Sequence, residues 1–227
     1  MELYVDIADL DAVKKVAGIY PIDGFTTNPG ILSAARRPVE ELMKEYRDYV
    51  KEKQLKAFFQ VTGATAEEMI TEAKKLSAYF GENLVVKLPA VPEGFRAVRP
   101  CKEAGIDICV TVIHSTMQAF TAAKAGADYV APYVSHIDNL GVESTNVIRE
   151  MLSIMRNYDY PCKVLGASFR TVEQIKNLAV AGCDAVTITP DMFDRLIAHP
   201  STIESMEMFN RTWFNKFGNR EISDLLP

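Results

Sequence analysis

The sequence predicts an α/β protein, a (β/α)8 TIM barrel with an extra C-terminal helix. Three observations carry that expectation. Eight short apolar, β-branched runs recur along the 227 residues, amphipathic stretches separate them, and a glycine turn just ahead of a strand recurs in AGID (104–107), AGAD (125–128) and AGCD (181–184). Strand and helix alternating in this way imply parallel strands joined by right-handed crossovers. Eight units in this length favour barrel closure over an open doubly wound sheet, and no Gly-rich dinucleotide fingerprint follows the first strand. One domain over 1–227 is expected, with 201–217 as a C-terminal helical arm.

The strands are read at ELYVD (2–6), GFTTN (24–28), KAFFQV (56–61), LVVKLP (84–89), DICVTV (107–112), YVAPYV (129–134), KVLGAS (163–168) and AVTIT (185–189). Most are apolar nearly throughout, the pattern of a strand buried on both faces, as parallel sheets require. Residues 9–18 place Leu10, Val13 and Val16 or Ala17 on one helical face. Residues 65–80 do the same with Ala66, Met69, Ala73, Leu76 and Phe80, behind a capping box of Thr65 and Glu68. Helices are also expected over 115–125 and 142–156, and each AG turn closes a helix with glycine. In 201–217, Ile203, Met206, Phe209 or Asn210, Trp213 and Phe217 recur at helical spacing, with Ser201 and Glu204 as a possible cap. This helix either lies back on its own barrel or docks on a neighbouring subunit; the pattern leaves both open.

Composition narrows the function. The chain is 48% hydrophobic with a net charge of −5 and no run of lysine and arginine, which argues against a nucleic-acid or membrane-surface partner. The start, MELYVDIADLDAV, lacks a basic stretch followed by a long apolar one, so no secretion signal is expected. No window reaches ~18 uninterrupted apolar residues, the length a membrane span needs. Cys101, Cys109, Cys162 and Cys183 are scattered, as for reduced thiols of a cytoplasmic protein. The three histidines, His114, His136 and His199, form no cluster of metal-ligand spacing, and neither metal nor cofactor is expected.

In such a barrel the site lies at the C-terminal ends of the strands. The polar residues there are Asp6, Thr26 with Thr27 and Asn28, Gln60, Lys87, Thr111, Tyr133, Ser168 with Arg170, and Thr187 with Thr189. Lys87, inside NLVVKLPA, is the most informative. Lysine is seldom fully buried unless paired or used. Burial lowers its pKa, and a neutral amine is what attack on a ketone needs. The competing reading is a lysine that emerges at the strand end and pairs with Asp6. Asp6 is a candidate for binding sugar hydroxyls and tuning Lys87, or is simply a helix cap. Asn28 before proline reads first as a turn former. Gln60 is a buried amide that must find partners. Tyr133 would serve as a proton relay, although tyrosine is common in cores. In ASFRT (167–171), Ser168, Arg170 and the helix N-terminus together suggest an anion site, and hence a phosphorylated substrate.

Taken together, LYVDIAD, GFTTNP, FFQV, VVKLP, AGADYVAPYV followed by His-Ile-Asp, and VLGASFRT followed by AGCDAVTI resemble the transaldolase family in its small, single-domain form that includes fructose-6-phosphate aldolase. The resemblance covers nearly the whole chain. It implies a Schiff base on Lys87, substrate-binding or polar supporting roles for Asp6, Asn28, Thr111 and Ser168, Arg170 at a phosphate, and no metal; Thr26, at the end of the second strand, is a further substrate-binding candidate. It also implies a homo-oligomer, a pentamer or decamer, with the C-terminal helix reaching a neighbour. Gln60 and Tyr133 resemble the aldolase branch, which cleaves or forms fructose 6-phosphate; transaldolases of the pentose phosphate pathway carry glutamate and phenylalanine there. One departure is His136, where the family usually has arginine: a weaker, pH-dependent phosphate ligand. His114 stands where the aldolase branch can have tyrosine, and has no assigned role.

Overall fold

The computed structural model describes residues 1–226. Eight parallel strands close into a barrel in chain order, β1 (Glu2–Asp6), β2 (Gly24–Thr26), β3 (Lys56–Gln60), β4 (Leu84–Pro89), β5 (Asp107–Ile113), β6 (Tyr129–Pro132), β7 (Lys163–Gly166) and β8 (Ala185–Ile188), with β8 pairing back onto β1. The helices are α1 (Leu10–Ala17), α2 (Pro29–Ser33), α3 (Val39–Lys53), α4 (Ala66–Phe80), α5 (Pro92–Glu103), α6 (Thr116–Ala125), α7 (Val134–Asn139), α8 (Ser144–Asn157), α9 (Val172–Ala181), α10 (Pro190–Ile197) and α11 (Pro200–Phe217). All eight expected strands form. β2, β6 and β7 end two residues early because Asn28 and Tyr133 already cap helices and Ser168 turns out of the sheet at φ 61°.

The barrel interior is a continuous buried cluster of Tyr4, Phe58, Val85, Cys109, Tyr129, Ala131, Leu165 and Ala185. β2 contributes no side chain at this level. Its Gly24 sits at φ 155°, and a Cβ there would lie 1.9 Å from the Lys56 carbonyl oxygen, so only glycine lets β2 and β3 meet. Below the cluster a polar plug closes the N-terminal end. Glu2 accepts from Tyr4 (2.9 Å), Tyr129 (3.1 Å) and Lys163, and Lys56 donates to the Tyr129 hydroxyl (3.2 Å). Burial works against the Glu2 carboxylate, but Lys163 and the two tyrosines hold it below the usual carboxylate range.

A two-strand rhythm underlies the closure. The residue immediately before β2, β6 and β8 is an aspartate whose carboxylate accepts from the second N–H of the preceding strand: Asp23 from Leu3 (2.7 Å), Asp128 from Ile108 (2.7 Å) and Asp184 from Val164 (2.8 Å). Before β4 the same place is taken by Asn83, whose amide donates to the Leu55 carbonyl (2.9 Å). These groups satisfy strand ends that the sheet leaves unpaired. Thr65–Glu68, Ser115–Gln118 and Thr171–Gln174 form capping boxes where α4, α6 and α9 leave β3, β5 and β7. Gly105, Gly126 and Gly182 take the left-handed conformation expected of the AG turns.

The chain divides into two compact units, Met1–Phe193 and Asp194–Pro227. In the second, α11 begins at Pro200 behind His199, without a side-chain cap, so the expected Ser201–Glu204 cap does not form. Proline at the first helical position, preset in φ, starts the helix instead. None of its residues is buried; Ile203, Met206, Phe209 and Phe214 are exposed, and Trp213 stacks on Phe217 at 4.4 Å between ring centres. No described helix is long and apolar enough to cross a membrane.

Asp128 combines its strand cap with an ion pair to Lys102 (2.6 Å). Asp128→Ala would leave the buried Ile108 amide unsatisfied. It is expected to lower unfolding free energy by about 1–3 kcal/mol, read in urea as a lower midpoint at unchanged slope.

Candidate active site

Lys87 lies on β4 in register with Gln60 on β3 and Cys109 on β5, so the three side chains share the inward face. It is 5% exposed. Among the described residues no carboxylate lies within ion-pair distance of it, and its Nζ donates to the Thr27 carbonyl oxygen at 2.8 Å. A hydrogen bond to one carbonyl does not replace the lost hydration of an ammonium. Burial therefore pushes the Lys87 pKa down, against weaker upward pulls from Cys109 and Asp6. The Cys109 thiol is itself pushed up to about 12 by burial, so it carries no charge near neutrality and its pull is nominal.

Asp6, at the end of β1, faces Lys87 without pairing with it. Burial raises its pKa, and the Lys87 charge and the Thr26 hydroxyl oppose the rise. Thr26 Oγ1 donates to Asp6 at 2.7 Å and lies 2.6 Å from Thr187 Oγ1. Thr26 has one hydroxyl proton, already given to Asp6, so Thr187 must be the donor in the second bond. The chain Thr187, Thr26, Asp6 is thus polarised toward the carboxylate. Thr26, a substrate-binding candidate, is buried and directs its hydroxyl at Asp6.

A cavity of about 200 Å³ opens at the C-terminal end of the barrel. Its walls bring together Asp6, Asn28, Lys87, Tyr133, Ser168, Arg170, Thr187 and Thr189, with Ala167, Phe169 and Ile188 as the apolar side. Asn28 has two duties: its side chain also caps α2, accepting from Ile31 N–H at 2.9 Å. Gln60 is half-buried beside Lys87 by register, without itself walling the cavity. The Thr111 hydroxyl is fully buried with no hydrogen-bond partner; the Tyr133 phenol is the polar group that faces it.

Tyr133 follows the end of β6 and is held from both sides. Its N–H donates to the Ile113 carbonyl (3.0 Å), and it forms a bridge with Ala167. Each neighbouring segment carries a non-glycine residue with positive φ, Val112 (61°) and Ser168 (61°). For β-branched Val112 this is strain, of about 1–3 kcal/mol. It coincides with a β-bulge between Thr111 and Ile113, a feature that re-aims side chains near sites. His114 Nδ1 lies 3.1 Å from the Val112 carbonyl, which makes Nδ1 the protonated ring nitrogen. The rings of His114, Tyr133 and His136 meet edge to face or tilted, with centres 5.3–5.8 Å apart. His136 is exposed on α7, outside the cavity wall. Burial raises the Tyr133 pKa, so the phenol keeps its proton.

At the other end of the cavity, Ser168 Oγ is 3.1 Å from Ser135 Oγ, and Arg170 extends exposed. At the start of α9 the amides of Arg170 and Thr171 both donate to Gln174 Oε1 and that of Gln174 to Thr171 Oγ1, so the capping box engages these three N–H groups. Thr27, one of the polar residues at the strand ends, acts through its carbonyl. Ser135, Phe169 and Ile188 lie outside that set; Ser135 reaches Ser168 only through the tertiary fold, which leaves no mark in local sequence. Among the described residues no cluster of three or more His, Cys, Asp or Glu side chains is placed to hold a metal ion.

The pattern of the family described as transaldolase/fructose-6-phosphate aldolase matches residues 3–223. The chain belongs to that family. It is accordingly an enzyme of the class I aldolase and transaldolase type, acting on sugar phosphates. Among solved structures, one titled "Native KDPGal structure" aligns over 84% of both chains at 16% identity with a TM-score of 0.59. A mutant mandelate oxidase with a monooxide FMN adduct aligns over 84% of this chain and 65% of its own at 13% identity, TM-score 0.56. At these identities the likeness is one of barrel fold.

A lowered Lys87 pKa has a consequence that can be measured. Imine formation with a ketone substrate, trapped by borohydride, should proceed at neutral pH and rise with pH up to a plateau well below the usual lysine value. Because the Asp6 charge raises the Lys87 pKa, Asp6→Asn should move that limb to lower pH; a move upward would contradict the electrostatics.

Proposed function

We propose that the enzyme is a class I aldolase that cleaves or forms fructose 6-phosphate from dihydroxyacetone and glyceraldehyde 3-phosphate. The observation that carries the reading is Lys87, buried, without a carboxylate partner and walling the same cavity as Asp6 and Tyr133.

In the cleavage direction neutral Lys87 adds to C2 of the open-chain sugar; the carbinolamine hydroxyl takes up a proton from solvent and leaves as water, which gives the iminium. The C4 hydroxyl gives its proton to a water between Gln60 and Tyr133, the C3–C4 bond breaks, and its electron pair flows into the iminium. Glyceraldehyde 3-phosphate departs and an enamine remains. Protonation at C3 regenerates the iminium, which water hydrolyses to dihydroxyacetone and free amine. A phenol that keeps its proton suits this relay, since it accepts one proton as it gives another and develops no charge. Such transfer contributes about 10²–10⁴-fold. Asp6 and Asn28 orient hydroxyls, the buried Thr111 hydroxyl faces the Tyr133 phenol, and Ser168, Arg170 and the exposed His136 serve the phosphate.

The choice of aldolase over transaldolase rests on Gln60 and Tyr133, which allow water to reach the dihydroxyacetone iminium. Glyceraldehyde 3-phosphate should be released from fructose 6-phosphate with no acceptor present, and Lys87→Met should reduce release to background. Release only after erythrose 4-phosphate is added would make the enzyme a transaldolase.

We also propose a cytoplasmic homo-oligomer. The four cysteines are buried and unpaired, as in a reducing compartment, and the apolar residues of α11 are exposed. Removing residues 200–227 should lower the number of chains per particle seen in analytical ultracentrifugation; an unchanged number would remove α11 from the interface.

A further inference from the structure

Two segments far apart in sequence meet at the Ser168 end of the cavity, the end read above as its anion site. One is α7, which carries Ser135 and His136; the other is the loop from β7 into α9, which carries Ser168 and Arg170. Backbone bonds join them from Val134 N–H to the Ala167 carbonyl (2.9 Å) and from Ser135 N–H to the Ser168 carbonyl (3.0 Å). Farther along, one side-chain pair spans the gap: Gln174 Nε2 donates to Asp138 Oδ2. Each partner is anchored at its other atom. Gln174 Oε1 accepts from the amides of Arg170 (2.8 Å) and Thr171 (3.3 Å), and Asp138 Oδ1 accepts from Ser144 N–H (2.9 Å). Gln174 is thus bound to the backbone of the residue that supplies the cavity's guanidinium, while Asp138 fixes the helical turn that follows Tyr133 and His136.

We propose that Asp138 and Gln174 are positioning residues, a clasp that sets the separation between the α7 side and the Arg170 side of an anion site. The proposal rests on the reading of that end of the cavity as the phosphate-binding end. A clasp matters there because Arg170 is exposed and Ser168 sits in a left-handed conformation, so neither is fixed by burial or by regular structure. Without it the two halves of the cradle are joined only by the bonds around Ser135, and an anion must supply the ordering itself.

The polarity of the clasp gives a clean test. Gln174→Glu keeps the acceptor that caps α9 but replaces the donor facing Asp138 with a second acceptor. Asp138→Asn keeps an acceptor for Ser144 and sets an amide N–H against an amide N–H. The double variant restores one donor and one acceptor with the roles reversed, and its net charge equals that of the wild type. Inorganic phosphate is titrated by calorimetry into all four proteins, and KM and kcat are measured with fructose 6-phosphate. Each single change should weaken phosphate binding and raise KM by about tenfold, in the range of coupled neighbours, with kcat nearly unchanged. The double variant should recover both. If charge alone governed binding, Asp138→Asn would tighten phosphate while Gln174→Glu weakened it, and the clasp would be overturned. It would also be overturned by singles that bind phosphate like the wild type, or by a double variant no better than Gln174→Glu. Absence of phosphate binding by the wild type would instead overturn the reading of the anion site itself, and the clasp with it.

Discussion

The desolvation of Lys87 Nζ is the constraint from which the polar layout of this barrel follows. A parallel barrel buries both faces of its strands, so an inward-pointing amine loses most of its hydration, and among the described residues no carboxylate lies within pairing distance of it. Its hydrogen bond is to a backbone carbonyl, which suits an amine better than an ammonium. The surrounding groups keep that balance. Asp6 is near enough to be felt but is engaged by Thr26, whose own lone pair is taken by Thr187. Cys109, the neighbour on β5, is a thiol too buried to ionise near neutrality. Shorter contact between Asp6 and Lys87 would form an ion pair and hold the amine in its charged state.

The two ends of the barrel treat charge in opposite ways. At the N-terminal end Glu2, Lys163, Lys56 and two tyrosines pair off, leaving little residual reactivity. At the C-terminal end the polar groups converge without consuming one another: the Thr111 hydroxyl has no partner, Gln60 is beside the amine, and Arg170 is open. Unpaired polar groups at one end and paired ones at the other are what separates a site from a plug.

Much of this was legible from residue order. Apolar runs without alternation gave the parallel sheet, because burial on both faces removes the period of two. Thr65–Glu68 and the three AG turns marked helix ends through local chemistry that acts within four residues. Lys87 was conspicuous since lysine inside a strand of that kind has few innocent explanations. What local pattern does not show has identifiable causes. The Thr26 hydroxyl bonds Asp6, twenty residues away, and α11 starts at Pro200, whose preset φ takes the place of the expected Ser201 cap. The left-handed Val112 was unforeseeable, since valine is among the residues least suited to that conformation and only tertiary closure at the bulge holds it there. Ser135, Asp138 and Gln174 act across gaps of more than thirty residues, where local pattern carries no information.

The order of the strands has a consequence for how the chain reaches this state. Seven of the eight strand pairings join neighbours along the chain, and each encloses a single connection of one or two helices. The eighth, β8 with β1, brings together segments separated by almost the whole barrel, and the Glu2–Lys163 pair beside it spans 161 positions. The entropy of closing a loop grows only logarithmically with its length, so this seam is not prohibitively costly, but it is the step that local structure cannot begin. Until it forms, Asp6 on the first strand and Thr187 on the last remain apart, and the hydroxyl chain that restrains Asp6 is incomplete. A partly assembled barrel therefore already contains Lys87 in its wall but not the electrostatic setting that keeps the amine usable. Competence arrives with the last strand.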